Sequence, residues 1–432
     1  MKIVILTYGS RGDVQPFLPL SVKLMSRGHS VKLAAPSRFE DLVEGYGIEF
    51  VPLPGDPGAA ILRINDARNN IFKMLREGYA HALEVGADVF QQSAEACKDA
   101  DLIIHAFSHA VDGHTRAREM KIPDVHVQTF PMFAPTGDYP SVVLPDLKLR
   151  ALNYFTHVAG IKIIWWLSRF GFRHISRRAR LPHRKLYFPF DKTSPFDKLR
   201  TALRPPTLML CAWSPSLIPP SKEWSANVHV TGYFFFEKAE SFQPSTKLQN
   251  FLDAGEPPVC VSFGSMVNRD AEKIDRIVRE ALTKTGQRGI ILSGWGGARK
   301  NSSNDLLYIE SAPHDWLLPR CKMLIHHGGA GTVAASLRAG IPQVVVPFMT
   351  DQPFWARRVQ AVGAAPKPIL VKRLSVERLT QAISEASGDG IRQRARALGQ
   401  SINKEDGVMS AVELIESHAR NWKERTINQN DK

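Results

Sequence analysis

The sequence predicts an α/β protein made of two doubly wound halves, and three observations carry that prediction. Short apolar runs that read as strands buried on both faces alternate with helical stretches along most of the 432 residues. Two β-turn-α-β units, one near the start and one in the second half, carry glycine-rich turns: Gly9-Ser-Arg-Gly-Asp13 and His326-His-Gly-Gly-Ala-Gly-Thr332. A proline-rich break at Pro215–Pro220 separates the two.

In the first half, Lys2 to Thr7 reads as a strand, and a helix from Val14 ends at Gly28. Strands follow at Val31–Ala35, Glu49–Leu53, Leu102–His105 and Val125–Gln128, with helices over Ala59–Ala96 and Gly113–Met120 between them. Pro131 to Pro145 is a proline-broken loop. Leu149 to Arg180 has helical spacing and is both apolar and basic, and Leu208–Ala212 is the last strand before the break. In the second half Val228–Gly232 and Tyr233–Phe236 pair with each other or lead into the second domain. Strands follow at Pro257–Ser265, Arg288–Leu292, Leu306–Ile309, Lys322–His326 and Gln343–Phe348. The helices are Ala271–Thr285, Val333–Ala339, Val376–Ala386, Ile391–Ile402 and Val408–Lys423. The expected domains are therefore residues 1–215 and 216–400, with a helix and tail at 401–432 packing back on the first. A cleft between two such halves is the expected site.

The composition narrows the function class. No apolar run is long enough to span a bilayer. Cys97, Cys211, Cys260 and Cys321 are widely spaced within apolar segments, which predicts buried thiols and a reducing, cytoplasmic setting. Asp99-x-Asp101 has no third ligand in sight and leads into a strand, so it is not a metal site. The formal charge of +14 fits an anionic partner, yet no nucleic-acid-binding signature accompanies it. Trp165, Trp166 and the arginines beyond them allow peripheral contact with an anionic membrane; a helix packed on its domain with a solvated basic end is the plainer reading.

The second glycine turn carries the chemistry most openly. The amides of Gly329, Ala330, Gly331 and Thr332 open a helix, where unpaired N–H groups and the dipole favour an anion. Asp351 and Gln352 end the following strand, where a carboxylate beside an amide can hold several hydroxyls. Phosphate plus polyol suggests a nucleotide sugar. Gly329-x-Gly331-x-x-Ala334 with Asp351 about 20 residues on also fits a dinucleotide fingerprint, and these letters alone leave both readings open.

The motifs taken together resemble the family 1 glycosyltransferases of the two-Rossmann-domain (GT-B) type, in particular the sterol 3β-glucosyltransferases. The matching pieces are Gly9-Ser-Arg-Gly-Asp-Val-Gln-Pro16, Trp213-Ser-Pro, Ser262-Phe-Gly-Ser-Met266, Gly286-Gln-Arg-Gly-Ile-Ile, Gly294-Trp-Gly-Gly297, Pro313-His-Asp-Trp316, His326 to Thr332, Val346-Pro-Phe and Asp351-Gln-Pro-Phe-Trp355. The resemblance implies GT-B architecture, two Rossmann-like domains facing a cleft with C-terminal helices, and displaces the dinucleotide reading. It implies inverting transfer of glucose from UDP-glucose to a lipophilic alcohol, a sterol first, with no metal and no other cofactor. Asp13 would be the general base, although it could also merely cap its helix. Ser10, Arg11, Gly12, Gly264, Ser265, His326 and the amides of Gly329 to Thr332 would surround the diphosphate, with His326 preferred over His327. Trp295 or the Ala312, Pro313 and His314 stretch would border the base, and Asp351 and Gln352 the sugar. Phe130, Met132, Phe133 and Phe155 would line the acceptor. Two other readings remain: a UDP- or dTDP-sugar transferase for a secondary-metabolite aglycone or a glycolipid precursor, and a silent nucleotide-sugar-binding protein.

Overall fold

The structure, a computed structural model, describes residues 1–58, 71–142, 148–178, 186–187, 207–236, 242–264, 271–292 and 302–430. The chain divides into two compact units, one of residues 1–215, 220–236 and 406–432 and the other of residues 216–219 and 237–405.

The first unit is built on a seven-stranded parallel sheet. Its strands are β1 (Lys2–Leu6), β2 (Ser30–Pro36), β3 (Glu49–Leu53), β4 (Leu102–His105), β5 (Asp124–Gln128), β6 (Leu208–Cys211) and β7 (Val228–Val230). Their spatial order is β3-β2-β1-β4-β5-β6-β7. The register pairs Leu6 with Ala34 on one side and with His105 on the other. Strand order reverses between β1 and β4, and ligands of open α/β sheets lie outside the carboxyl ends of strands at such a switch point. Helices of this unit are α1 (Arg11–Val14), α2 (Phe17–Ser26), α3 (Glu40–Glu44), α4 (Ile71–Cys97), α5 (Ala110–Met120) and α6 (Arg150–Arg178). Ile3, Ile5, Val4 and Leu6 are all buried because both faces of β1 are covered. Val4 and Leu6 pack with Cys97 of α4 and Ala117 of α5. Ile3 and Ile5 pack with Leu20 and Leu24 of α2.

The second unit holds a five-stranded parallel sheet in the order β10-β9-β8-β11-β12. The strands are β8 (Val259–Ser262), β9 (Gly289–Leu292), β10 (Leu306–Ile309), β11 (Met323–His326) and β12 (Gln343–Val345). Its switch point lies between β8 and β11, where Ser262 pairs with His326. The helices are α7 (Thr246–Asp253), α8 (Ala271–Lys284), α9 (His314–Leu317), α10 (Ala330–Arg338), α11 (Gln352–Ala361), α12 (Val376–Ala386) and α13 (Asp389–Ile402). The last helix, α14 (Gly407–Asn430), belongs to the first unit. Ala411, Val412, Ile415 and Ala419 enter the core cluster of Ile3 and Leu24, and Glu416 pairs with Arg27 at 2.9 Å.

The structure departs from the sequence reading in several places. The helix expected from Val14 to Gly28 is two helices, because Pro16 stands as the N-cap of α2 after the short α1. The chain does not pass for good into the second unit at Pro215–Pro220: only residues 216–219 belong to it there, β7 pairs in parallel with β6, and the lasting crossing comes after Phe236. Tyr233–Phe236 forms no strand, although Tyr233 and Phe234 are buried. The strand expected to reach Phe348 ends at Val345, ahead of Pro347. Asp99 forms ion pairs with Lys2 and Lys32, and Asp101 accepts the Lys2 amide at 2.7 Å, so this acid pair anchors the start of β1. All four cysteines are buried free thiols. Residues 59–70 of the helix expected over Ala59–Ala96 lie outside the described residues, as do Ser265, Trp295 and the basic stretch from Arg180 to Lys185.

Candidate active site

The first half-site follows β1 at the switch point of the first sheet. Thr7 donates its hydroxyl to the Asp13 carbonyl at 2.8 Å, and the Tyr8 amide donates to Ser108 Oγ at 2.9 Å. Between them the chain turns through Gly9 at φ +152. Asp13 folds back over this turn: its Oδ2 accepts the Ser10 amide at 2.6 Å and the Ser10 hydroxyl at 2.9 Å. A Cβ on Gly9 would stand 2.3 Å from that same oxygen, so only glycine lets the carboxylate lie there. Asp13 therefore does cap its helix, and Ser10 fixes its orientation with two donors. Arg11 is exposed and donates through Nε to Gln15 at 3.0 Å, and Gly12 is exposed beside it.

Aromatic side chains gather beyond β4 and β5. Phe107 stacks on Phe133 at 5.4 Å and meets Phe130 at 5.3 Å, and His126 meets the Phe133 edge at 5.4 Å. Met132 and Phe133 are buried. Phe155 does not join them. It lies on the outer face of α6, 67% exposed, because the buried face of that helix is formed by Asn153, Thr156, His157 and Ile161. The sequence reading missed Phe107. Its signal was position: it follows β4, the strand across the switch point from β1. Behind these rings His105 and His114 both share Asp124 Oδ2, at 2.8 and 3.0 Å, in a fully buried network.

The second half-site follows β11. Gly329 is the N-cap of α10 and supplies no side-chain cap. The N–H groups of Ala330, Gly331 and Thr332 therefore have no acceptor earlier in the helix. Gly328 takes φ +92, and a Cβ there would press within 2.8 Å of Val345 Cγ1. His326 does not face a ligand, which corrects the preference for it as the phosphate donor. Its ring is fully buried, Nε2 pairs with Gln343 Oε1 at 2.9 Å, and Nδ1 accepts the Gly328 amide at 3.1 Å. Nε2 must then carry the proton, and both nitrogens are spent holding the turn. His327 is the half-buried member, in contact range of Gly264 and with Nε2 2.6 Å from where a Gly329 Cβ would be.

Burial pushes His326 down to about 3 and His327 down to about 4, so both are neutral near pH 7. Burial also lowers His105 and His126. An unfolded histidine takes its proton near pH 6.5 while these resist, so the unfolded state binds more protons below that pH. Stability is complete above about pH 6.5 and falls progressively toward about pH 3. Urea midpoints compared at neutral and mildly acidic pH test this, and equal midpoints would refute it.

In the loop between β12 and α11 Thr350 takes φ +55, an uncommon backbone for a β-branched residue. Its hydroxyl donates to Asp351 Oδ1 at 3.0 Å, and Trp355 Nε1 donates to Oδ2 at 2.9 Å. Burial raises the Asp351 carboxyl above its ordinary value. The carboxylate keeps further lone pairs for hydroxyl donors. Gln352 is only partly what the sequence suggested. Its Oε1 accepts the amides of Phe348 and Met349 at 2.9 and 3.2 Å and so shapes the loop, leaving Nε2 as the group for a ligand hydroxyl. Ala312, Pro313 and His314 follow the edge strand β10, where Pro313 caps the short α9. Among the described residues no group of three or more His, Cys, Asp or Glu could hold a metal ion.

Two parallel α/β units, each with a glycine turn at its switch point, match the GT-B fold. Solved structures share this fold across the chain. The glycosyltransferase of kitacinnamycin superposes with a TM-score of 0.69 at 18% identity, covering 97% of this chain and 99% of that one. The calicheamicin glycosyltransferase CalG4 gives 0.62 at 18%, covering 96% and 97%. The SsfS6 glycosyltransferase of Streptomyces sp. SF2575, complexed with thymidine diphosphate, gives 0.61 at 19%, covering 96% and 99%. Residues 3–123 match the glycosyltransferase family 28 N-terminal domain, and residues 302–405 the erythromycin biosynthesis protein CIII-like C-terminal domain. The sterol 3-beta-glucosyltransferase UGT80A2 of Arabidopsis thaliana is 34% identical over 97% of this chain, which spans 66% of that protein. O-mycaminosyltylonolide 6-deoxyallosyltransferase of Streptomyces fradiae is 35% identical over 97% of this chain and 98% of its own length. The sterol 3-beta-glucosyltransferase of Cryptococcus neoformans is 34% identical, with this chain spanning 27% of it. The chain belongs to the GT-B glycosyltransferases, close to the sterol 3-beta-glucosyltransferases.

Proposed function

We propose that the protein transfers glucose, with inversion, from UDP-glucose to the hydroxyl of a lipophilic alcohol, a sterol in the first instance. The observation that carries this reading is the Asp13 carboxylate held over Gly9 at the carboxyl end of β1. The acceptor oxygen attacks the anomeric carbon as Asp13 takes its proton, and the bond from that carbon to the diphosphate breaks. The departing diphosphate gains negative charge. The N–H groups of Ala330, Gly331 and Thr332 at the start of α10 meet it, with His327 beside them. Asp351 and Gln352 Nε2 hold sugar hydroxyls, and the stretch from Ala312 to His314 borders the base. Met132, Phe133, Phe130 and Phe107 form the apolar wall suited to a lipophilic acceptor.

A second reading, deoxysugar transfer to a macrolide-type aglycone from a dTDP-sugar, is favoured by the 98% span of the Streptomyces fradiae relative. A screen of UDP-glucose and dTDP-sugars against sterols, macrolides and flavonoids, scored by product mass, separates the two. Glucosylated sterol is expected; products from macrolides or flavonoids alone would remove the first reading. Because helix N–H groups stabilise the leaving group in this scheme, turnover is expected to persist in EDTA. Strict dependence on added Mg²⁺ would contradict that assignment.

A further inference from the structure

We propose that the outer face of α6 is a docking surface for an anionic lipid bilayer. The helix runs from Arg150 to Arg178 without a single Asp or Glu. One face packs on α4, where Phe172 meets Phe90 at 5.0 Å, and toward the C-terminal end Phe170 and His174 both meet Tyr79 at 6.2 Å. The side turned away from Phe172 carries a stripe of large apolar groups that are largely in solvent, with Phe170 at its edge against Tyr79. Leu152, Phe155, Ile163, Trp166, Leu167 and Phe170 are all exposed there, Trp166 by 65%. These positions lie within about 60° of one another's mean direction at 100° per residue, so they form one continuous face. Leu152 and Phe170 are ~27 Å apart along the axis at 1.5 Å per residue. Trp166 and Phe170 stack at 5.9 Å, an exposed aromatic pair of the kind that sits at the level of lipid headgroups.

The cations decide the occupant. Lys162, Arg169, Arg173 and Arg177 are exposed and have no ion-pair partner among the described residues. By helical angle Lys162, Arg169 and Arg173 run along one border of the apolar stripe, and Arg177 lies about one turn beyond Arg173 in line with the stripe itself. An apolar stripe bordered by unpaired cations and free of carboxylates fits a surface that is greasy inside and negative outside, which is what an interfacial helix presents to an anionic leaflet. A neutral apolar partner would leave these four charges unanswered. No helix among the described residues is long and apolar enough to cross a membrane, so the contact is in the plane of the surface. The inference stands on α6 alone and does not depend on the identity of the acceptor.

The test is flotation of the full chain with phosphatidylcholine vesicles, with and without phosphatidylglycerol. Binding is expected only to the phosphatidylglycerol vesicles and is expected to weaken with added salt. The double variant Arg169→Gln/Arg173→Gln should lose about 25-fold in affinity, since each cation near such a surface contributes about 1 kcal/mol and 1.4 kcal/mol is tenfold. Phe155→Ala/Trp166→Ala, two of the most exposed members of the stripe, should also weaken binding while leaving the unfolding midpoint unchanged. Equal binding to both vesicle types, binding to neither, or wild-type binding by both variants would overturn the proposal. So would a concentration-dependent dimer abolished by the aromatic variant, because a second copy would then own the face. Transfer to a soluble acceptor, measured without vesicles, reports on the transferase reading separately.

Discussion

Asp13→Asn is expected to lower turnover by about 10²- to 10⁴-fold, the range that a positioned general base contributes, while donor affinity stays near that of the wild type. The substitution is chosen because asparagine keeps the shape and an acceptor oxygen. The Ser10 amide, 2.6 Å from Asp13 Oδ2, can still be received, so the turn over Gly9 survives. What is lost is the ability to take a proton. Asp13→Ala removes both functions and should add roughly 1 kcal/mol of lost stability, the usual cost of removing a helix cap. Steady-state rates, donor titration and unfolding midpoints separate the two roles. Wild-type turnover in the asparagine variant would leave Asp13 as a cap and nothing more.

Gly331→Ala should stabilise the protein and impair it together. Gly331 sits in the first turn of α10 with an ordinary negative φ, and a Cβ there would meet nothing within 4 Å. Alanine is favoured over glycine in a helix by about 1 kcal/mol. The fold thus gives no reason for this glycine. A diphosphate drawn against the N–H of residue 331 does give one, because a methyl group would stand where the phosphate oxygens approach. The expected result is a raised unfolding midpoint with donor affinity weakened by roughly tenfold or more, the scale of a lost charge-assisted hydrogen bond. Unchanged donor affinity would move the phosphate away from this turn. Gly328 is the contrast: its φ of +92 and its contact with Val345 make any side chain there a defect of folding first.

The strands were legible because parallel strands covered on both faces are written as nearly unbroken apolar runs, as in Ile3-Val-Ile-Leu6 and Met323-Leu-Ile325. The turns were legible because close backbone approach demands glycine, as at Gly9. Where the reading failed, the deciding contact came from a distant part of the chain. His326 and His327 are adjacent and chemically identical, and nothing local says which one turns inward. Gln343, on the neighbouring strand, takes His326. Gln352 looked like a ligand group until its oxygen was found on the amides of Phe348 and Met349. On α6 the apolar residues occupy both faces, so helical periodicity alone could not tell Phe155, which is exposed, from Ile161, which is buried. Val228–Gly232 is visible in the sequence but reads as lying beyond the break, because nothing local names β6 as its partner, and with that went the boundary after Phe236.

The return of α14 to the first unit has a consequence for synthesis. The core that holds Ile3 and Leu24 also holds Ala411, Val412, Ile415 and Ala419, so one wall of the first sheet is translated only after the whole of the second unit. Residues 237–405 are made in between and form a unit of their own. At about 5–20 residues per second, the first sheet waits on the order of ten to forty seconds for its closing helix. During that interval Leu20 and Leu24 of α2 face water or whatever protects nascent chains. The core beneath the Asp13 half-site therefore closes only once α14 has been made, long after the half-site's own residues.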